Sequence, residues 1–121
     1  MKIQIKDTDR TPYVYFNEGL IEIKGRSILE DASPFYKPLI EWLQGYIKQP
    51  AEFTQINFRI EYSNSNSNKF IFKIIFLLEE CYIKGHDMKV SWYHEKDDDS
   101  VRDLGLDFQS LTKLPFELVI I

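Results

Sequence analysis

The sequence predicts an α/β fold in one domain spanning residues 1–121: a mixed β-sheet of about five strands covered by about three helices, in the order β-β-α-β-α-β-α-β. Three observations lead there. Residues 53–62 and 88–94 alternate apolar with polar side chains, the two-residue period of a half-buried strand. Residues 33–47 and 101–111 instead repeat their apolar positions at helical spacing. A Gly-containing turn, Asn17-Glu18-Gly19, joins two further strand-like runs. Strand-helix-strand connections of this length make right-handed crossovers between parallel strands, so the opening hairpin supplies the antiparallel part of the sheet.

Residues 11–16 are rich in aromatic and β-branched side chains, and after the turn Leu20-Ile21-Glu22-Ile23-Lys24-Gly25 mostly alternates, which reads as a β-hairpin. Ser33-Pro34 supplies an N-cap and a first-turn proline, and Phe35, Leu39, Leu43, Tyr46 and Ile47 then recur at helical spacing until Gln49-Pro50 ends the helix. Pro38 sits in its first turns and Gly45 weakens its end. In the next strand Thr54, Ile56, Phe58, Ile60 and Tyr62 share one face, and the strand stops at the polar tract Ser63-Asn64-Ser65-Asn66-Ser67-Asn68.

Residues 69–84 contain good strand formers, Phe70-Ile71-Phe72 and Ile74-Ile75-Phe76. The length of the run without a turn signal, with Lys69, Lys73 and Glu80 along one stripe, decides for a helix that is apolar over most of its circumference. Met88, Val90, Trp92 and His94 form one face of a following strand. Asp97-Asp98-Asp99-Ser100 is a helix start, because carboxylates oppose the positive end of the macrodipole, and Val101, Leu104, Phe108 and Leu111 follow at helical spacing. Pro115 stops that helix, and residues 116–121 close the sheet as a mostly apolar strand.

With 44% hydrophobic and 15% aromatic residues, the chain has material for one core without disulfides or a structural metal. The lone Cys81 cannot form an internal bridge, and the first ten residues alternate charged with apolar side chains instead of forming a signal peptide, so a cytoplasmic location is expected. The longest near-apolar run, residues 70–78, is broken by Lys73 and falls far short of the roughly 20 residues that span a bilayer, so membrane insertion is not expected. Net charge is −4, with Glu95, Asp97, Asp98, Asp99, Asp103 and Asp107 gathered late in the chain. No basic stripe is present to release counterions from phosphates, which excludes nucleic acid as an expected partner.

The polar tract is the most informative stretch. It places hydroxyls at a helix N-terminus, where unpaired backbone N–H groups and the dipole favour an anion. Ser65 and Ser67 are therefore candidates for phosphorylation, and the plainer alternative is that one of them merely caps the helix. Asn64, Asn66, Asn68 and Lys69, with Phe70 and Phe72, make up the expected partner-binding set. The helix carries more apolar surface than one stripe needs: Phe70, Phe72, Ile74 and Phe76 spread around its axis, either facing a partner or a second copy, or covered by the sheet and the adjacent helix.

Other reactive residue types read as structural. The acidic run 97–99 beside His94 has neither EF-hand spacing nor a paired His motif, and fits a solvated helix start. His86, between Gly85 and Asp87, is a turn residue. Cys81 has no His at a diagnostic spacing and fits a buried packing thiol. No Gly-rich phosphate loop is present, so neither catalysis nor a cofactor or metal is expected.

A set of short motifs, in order, carries a resemblance: Thr11-Pro12, Gly25-Arg26-Ser27, Phe35-Tyr36 with Pro38-Leu39 and Glu41-Trp42, Asn64-Ser65 and Lys69 leading into Leu77-Leu78-Glu79-Glu80, Trp92-Tyr93 with Asp97-Asp98-Asp99 and Gly105, and Pro115-Phe116. Together, from about residue 11 to residue 121, they resemble the SiaC family of phosphoprotein adaptors, and the layout is similar to that of the STAS domains of partner-switching systems. The resemblance implies a non-catalytic signalling adaptor whose phosphoacceptor directly follows the Asn of the tract, which is Ser65 here. It implies a protein kinase that adds the phosphate and a metal-dependent serine/threonine phosphatase that removes it. It further implies that the unphosphorylated form binds and promotes a diguanylate cyclase, in cyclic di-GMP regulation.

The chain departs from the pattern in having Ser where the best-known members have Thr, and Asn66 and Asn68 where small residues are usual, so Ser67 stays a second acceptor candidate. Two other readings remain open. One is an unswitched interaction or oligomer-forming module, a homodimer included; the other is a small enzyme using residues 97–99 and His94.

Overall fold

A computed structural model describes residues 1–121. Six strands and three helices follow in the order β1 (Ile3–Ile5), β2 (Tyr13–Asn17), β3 (Leu20–Ser27), α1 (Ser33–Tyr46), β4 (Phe53–Ser63), α2 (Ser65–Ile83), β5 (Asp87–His94), α3 (Asp99–Leu111) and β6 (Phe116–Ile120). They form one mixed sheet whose spatial order is the sequence order, β1-β2-β3-β4-β5-β6. The first three strands pair antiparallel and β3 to β6 pair parallel.

Strand alternation decides what each face of this sheet carries. One cross-strand row reads Ile5, Val14, Ile23, Phe58, Trp92, Leu118, and the row two residues along reads Ile3, Phe16, Ile21, Ile56, Val90, Phe116. The β2 to β5 members of these rows join residues of all three helices, among them Tyr36, Leu39, Leu43, Ile71, Ile75, Leu78, Val101 and Phe108, in one buried cluster of 23 residues, against which Ile3, Ile5, Phe116 and Leu118 pack partly buried. The row between them faces the other way and is mostly polar: Gln4, Tyr15, Glu22, Asn57, Ser91, Glu117. It is tied together by Asn57 Nδ2 donating to Glu22 (2.8 Å) and by Gln55 Nε2 donating to Asn57 (2.9 Å) and Ser91 (3.0 Å).

The expected mixed α/β architecture is present, with two differences. The sheet has six strands, not five: Ile3 and Ile5, within the opening alternation of charged and apolar residues, pair with β2. The helices cover one face only. Crossovers of one hand that always step toward the same edge must all pass on the same side of the sheet, and here the strand order never reverses. The second difference concerns helix starts. Ala32, not Ser33, is the N-cap of α1, with Ser33 and Pro34 as its first residues and no side-chain cap. Likewise α2 starts at Ser65, inside the tract read as a loop.

Trp92 is the largest fully buried side chain. Its ring meets Phe58, Phe108 and Phe116 with centroids 5.6, 5.5 and 6.2 Å away, and its Nε1 donates to the Val101 carbonyl at 2.9 Å. Gly105 of α3 lies directly on the indole, and a Cβ there would sit 2.5 Å from Nε1. Gly105→Ala is therefore expected to cost about 2 kcal/mol or more of stability in urea denaturation. Gly45→Ala, in helix α1 with nothing within 4 Å of the added Cβ, should instead gain about 0.5 kcal/mol. Equal effects at the two sites would sink this packing account.

Candidate functional site

The three βα connections lie at the C-terminal ends of β3, β4 and β5, so the heads of α1, α2 and α3 share one end of the sheet. At the middle one the chain turns from strand to helix through a single residue, Asn64. Asn64 has extended backbone (φ −88°, ψ 173°), and its side-chain oxygen accepts from the Ser67 N–H at 2.9 Å, which makes it the N-cap of α2. Neither serine caps the helix. The Asn64 Nδ2 donates to the Leu29 carbonyl at 2.9 Å, and Asn66 Nδ2 donates to the Glu30 carbonyl at 2.8 Å. Two amides thus clamp the head of α2 to the β3–α1 connection.

The two candidate serines have opposite environments. Ser67 is fully buried, and its hydroxyl accepts from Ser27 at 2.7 Å; Ser27 in turn lies 2.6 Å from the Tyr36 hydroxyl, also buried. Burial pushes the Tyr36 phenol up to about 12, against an opposing pull from its hydrogen bonds with Ser27 and Ser67. Ser65, at the first helical position, is exposed and its hydroxyl makes no hydrogen bond within the chain. Its own N–H and that of Asn66 have no partner in the chain either, as first-turn donors beyond the reach of the cap.

The remaining members of the expected set divide. Asn68 is half-buried and its side-chain oxygen accepts from Ser63 in a short bond, while Lys69 is exposed without an ion pair. Phe70 stacks on Tyr36 (5.4 Å, 6° between planes) and Phe72 on Phe108 (6.1 Å, 20°), so both rings are half-buried in internal packing. Ile74 is fully buried and Phe76 is 47% exposed. The solvent-facing stripe of α2 therefore runs Ser65, Lys69, Lys73, Phe76, Glu80, residues three or four apart on one face, with Ser65 at its head.

Ser27 and Tyr36 stood in the sequence motifs without a role at this site, and nothing in the sequence marked the carbonyls of Leu29 and Glu30, because the contacts join residues up to 40 positions apart.

The acidic run stays dispersed. Asp98 caps α3 by accepting from the Val101 N–H at 3.1 Å, and Asp99 pairs with Arg102 at 3.4 Å. His94 is 5% exposed, with Nδ1 on the Glu95 carbonyl at 2.9 Å. No group of three or more His, Cys, Asp or Glu side chains is placed to share a metal ion. A depression of about 580 Å³ at this end of the sheet is lined by Lys24 and Arg59 as well as Asp7, Glu61, Glu95 and Asp98. Its charges mix in sign, so it concentrates neither carboxylates nor cations. Cys81 is a buried free thiol whose pKa burial raises. No helix is long and apolar enough to cross a membrane.

The chain belongs to the SiaC family of regulatory phosphoproteins, whose family model matches residues 5–121. It is similar to the crystal structure of apo-SiaC from Pseudomonas aeruginosa, with a TM-score of 0.88, 23% identity, and 98% of each chain covered. It is also similar to SiaC of the same organism as seen in complex with the diguanylate cyclase SiaD that it activates (TM-score 0.89, 23% identity, 96% of this chain and 97% of that one). An uncharacterised protein of P. aeruginosa strain UCBPP-PA14 is 23% identical over 118 residues, 96% of this chain and 94% of its own. At such identities the structural likeness is one of fold.

The buried hydroxyl cluster predicts a pH dependence. The fold favours the neutral Tyr36, so the stabilisation is complete below the unfolded-state pKa near 10 and is lost as pH rises through about 12. Across that window the wild type should lose about 2–3 kcal/mol more stability than Tyr36→Phe, read by denaturant titrations at each pH. A difference that stays flat from pH 9 upward would mean that the phenol ionises as freely as in water.

Proposed function

We propose that this chain is a non-catalytic signalling adaptor switched by phosphorylation of Ser65, and that its unphosphorylated form binds and promotes a diguanylate cyclase. A protein kinase and a metal-dependent serine/threonine phosphatase set the state of the switch, in the cytoplasm. The observation that carries the reading is the position of Ser65: an exposed hydroxyl at the first helical position, beside two unpartnered backbone N–H groups, on a helix whose cap and clamps are made by other residues. Membership of a family of regulatory phosphoproteins supports it, as does the complex in which a protein of the same fold activates such a cyclase.

The mechanism follows from charge. A phosphate adds about −1.5 to −2 charges and three strong acceptors. The open N–H groups and the helix dipole accommodate it, so the fold survives. The solvent-facing stripe behind it begins with Lys69 and Lys73 and continues to Phe76, a surface suited to an acidic and apolar partner. Phosphorylation at its head cancels most of the local positive charge and imposes a desolvation cost on any docked apolar group. Ser67 does not serve as the acceptor, because exposing its oxygen would break the buried link to Ser27 and Tyr36.

Phosphopeptide mapping of protein purified from its native host should find the phosphate on Ser65 and not on Ser67. Ser65→Ala should bind a diguanylate cyclase from that host as the unmodified chain does, and Ser65→Asp and the phosphoprotein at least tenfold more weakly by calorimetry, equivalent to about 1.4 kcal/mol. Phe76→Ala should weaken the same complex by about 1–2 kcal/mol with little change in stability, since its ring is half in solvent. Binding that is indifferent to every change at Ser65 would reduce the chain to an unswitched interaction module.

A further inference from the structure

The two edges of the sheet are guarded differently. On one side β1 is three residues long and flanked by exposed Lys2 and Lys6, the usual means of keeping an edge from pairing. On the other, β6 reads Phe-Glu-Leu-Val-Ile, without Lys, Pro or a bulge, and Ile120 is 64% exposed. Its only charged side chain, Glu117, is drawn onto the open face by Lys89 at 3.4 Å. The direction of its backbone groups follows from the ladder. Val90 N–H donates to the Pro115 carbonyl (2.8 Å) and Ile121 N–H to the His94 carbonyl (3.0 Å). The odd-numbered residues of β6 therefore spend their groups on β5, and Phe116, Leu118 and Ile120 point theirs out of the sheet. Of these only the Phe116 carbonyl has a partner, Gln109 Nε2 of α3 at 2.8 Å, and a carbonyl oxygen can accept twice.

We propose that β6 is a self-association edge through which two copies of this chain pair antiparallel about a two-fold axis at Leu118, joining their sheets into one. In that register Leu118 of one copy faces Leu118 of the other, and each Phe116 faces an Ile120. All three pairs consist of outward-pointing residues, so every free N–H and C=O of the edge is used, two bonds for each pair. Phe116, Leu118 and Ile120 also share the helix-covered face, so apolar side chains meet apolar side chains across the seam. On the open face Glu117 faces Val119. Moving the axis one residue back would set Glu117 against Glu117, and like charges directly opposite are destabilising. Five residues per copy make a small interface, so the dimer is a weak one that grows with concentration. The inference is independent of phosphorylation at Ser65.

Sedimentation velocity over a concentration series tests it. The wild type should shift from monomer toward dimer as concentration rises. Ile120→Lys, which leaves a side chain already mostly in solvent, should keep its thermal melt and dimerise at least tenfold more weakly. Leu118→Cys under mild oxidation should crosslink, since a hydrogen-bonded antiparallel pair sets the Cα atoms about 5.5 Å apart, within disulfide reach. Gln4→Cys, on the guarded edge, should not. A wild type that remains monomeric at every concentration overturns the proposal. So does a dimer that Ile120→Lys leaves intact and Leu118→Cys fails to lock.

Discussion

A strand order that never reverses is the constraint from which the rest of this molecule follows. With β3 to β6 parallel and adjacent in sequence order, crossovers of one hand leave all three helices on one side. Parallel sheets are usually buried on both faces, and their strands then read as continuous apolar runs. Here the strands alternate, because one face has nothing to cover it. That face satisfies its polar side chains by bonding them to each other, as Glu22, Asn57, Gln55 and Ser91 do. The same topology brings all three helix heads to one end, which is why Asn64 and Asn66 can reach the connection that leads into α1.

At that end the residues divide their work between holding and exposing. Asn64 supplies the cap, Asn64 and Asn66 the clamp, and Ser67 a buried link through Ser27 to Tyr36. Ser65, lying between the two clamping residues, takes no part in any of these bonds. Replacing a capping residue costs on the order of 1 kcal/mol, and leaving a buried hydroxyl unpaired costs about 1–3 kcal/mol. A covalent change at Asn64 or Ser67 would therefore disturb folding, whereas Ser65 is the hydroxyl in the helix's first turn where added charge meets solvent, open N–H groups and the exposed Lys69 one turn on.

Much of this was legible in the chain. Periodicity located α1, α3, β4 and β5, since each buries one clean stripe or face, and the Gly-containing turn located the hairpin. Strand β1 was missed because three residues show too little alternation to separate from a charged terminus. The start of α2 was missed for a different reason. Ser and Asn are poor helix formers that favour caps and turns, so Ser65 to Asn68 reads as loop, and only tertiary bonds to Leu29, Glu30 and Ser27 make it a helical turn. Residue types placed two serines at the site; what separates them is a contact with Ser27 that no local pattern announces. Gly105 shows the same limit, since its motif was visible while its cause, the face of Trp92, was not.

The packing of α2 also bears on how a switch at its head could act. Beyond the clamp, the helix is held by the stack of Phe70 on Tyr36, by Phe72 on Phe108, and by the buried Ile71, Ile74, Ile75 and Leu78. Tilting or sliding such a helix would give up several of these contacts together, and each large apolar side chain is worth about 1.5–3 kcal/mol when fully buried. A phosphate on an exposed hydroxyl offers about 1 kcal/mol of interaction with a helix dipole. The comparison favours a switch that acts by what the surface presents over one that moves the helix. The fold holds the stripe of Lys69, Lys73 and Phe76 fixed, so under the proposed function a phosphate on Ser65 would act by changing whether a partner can dock there.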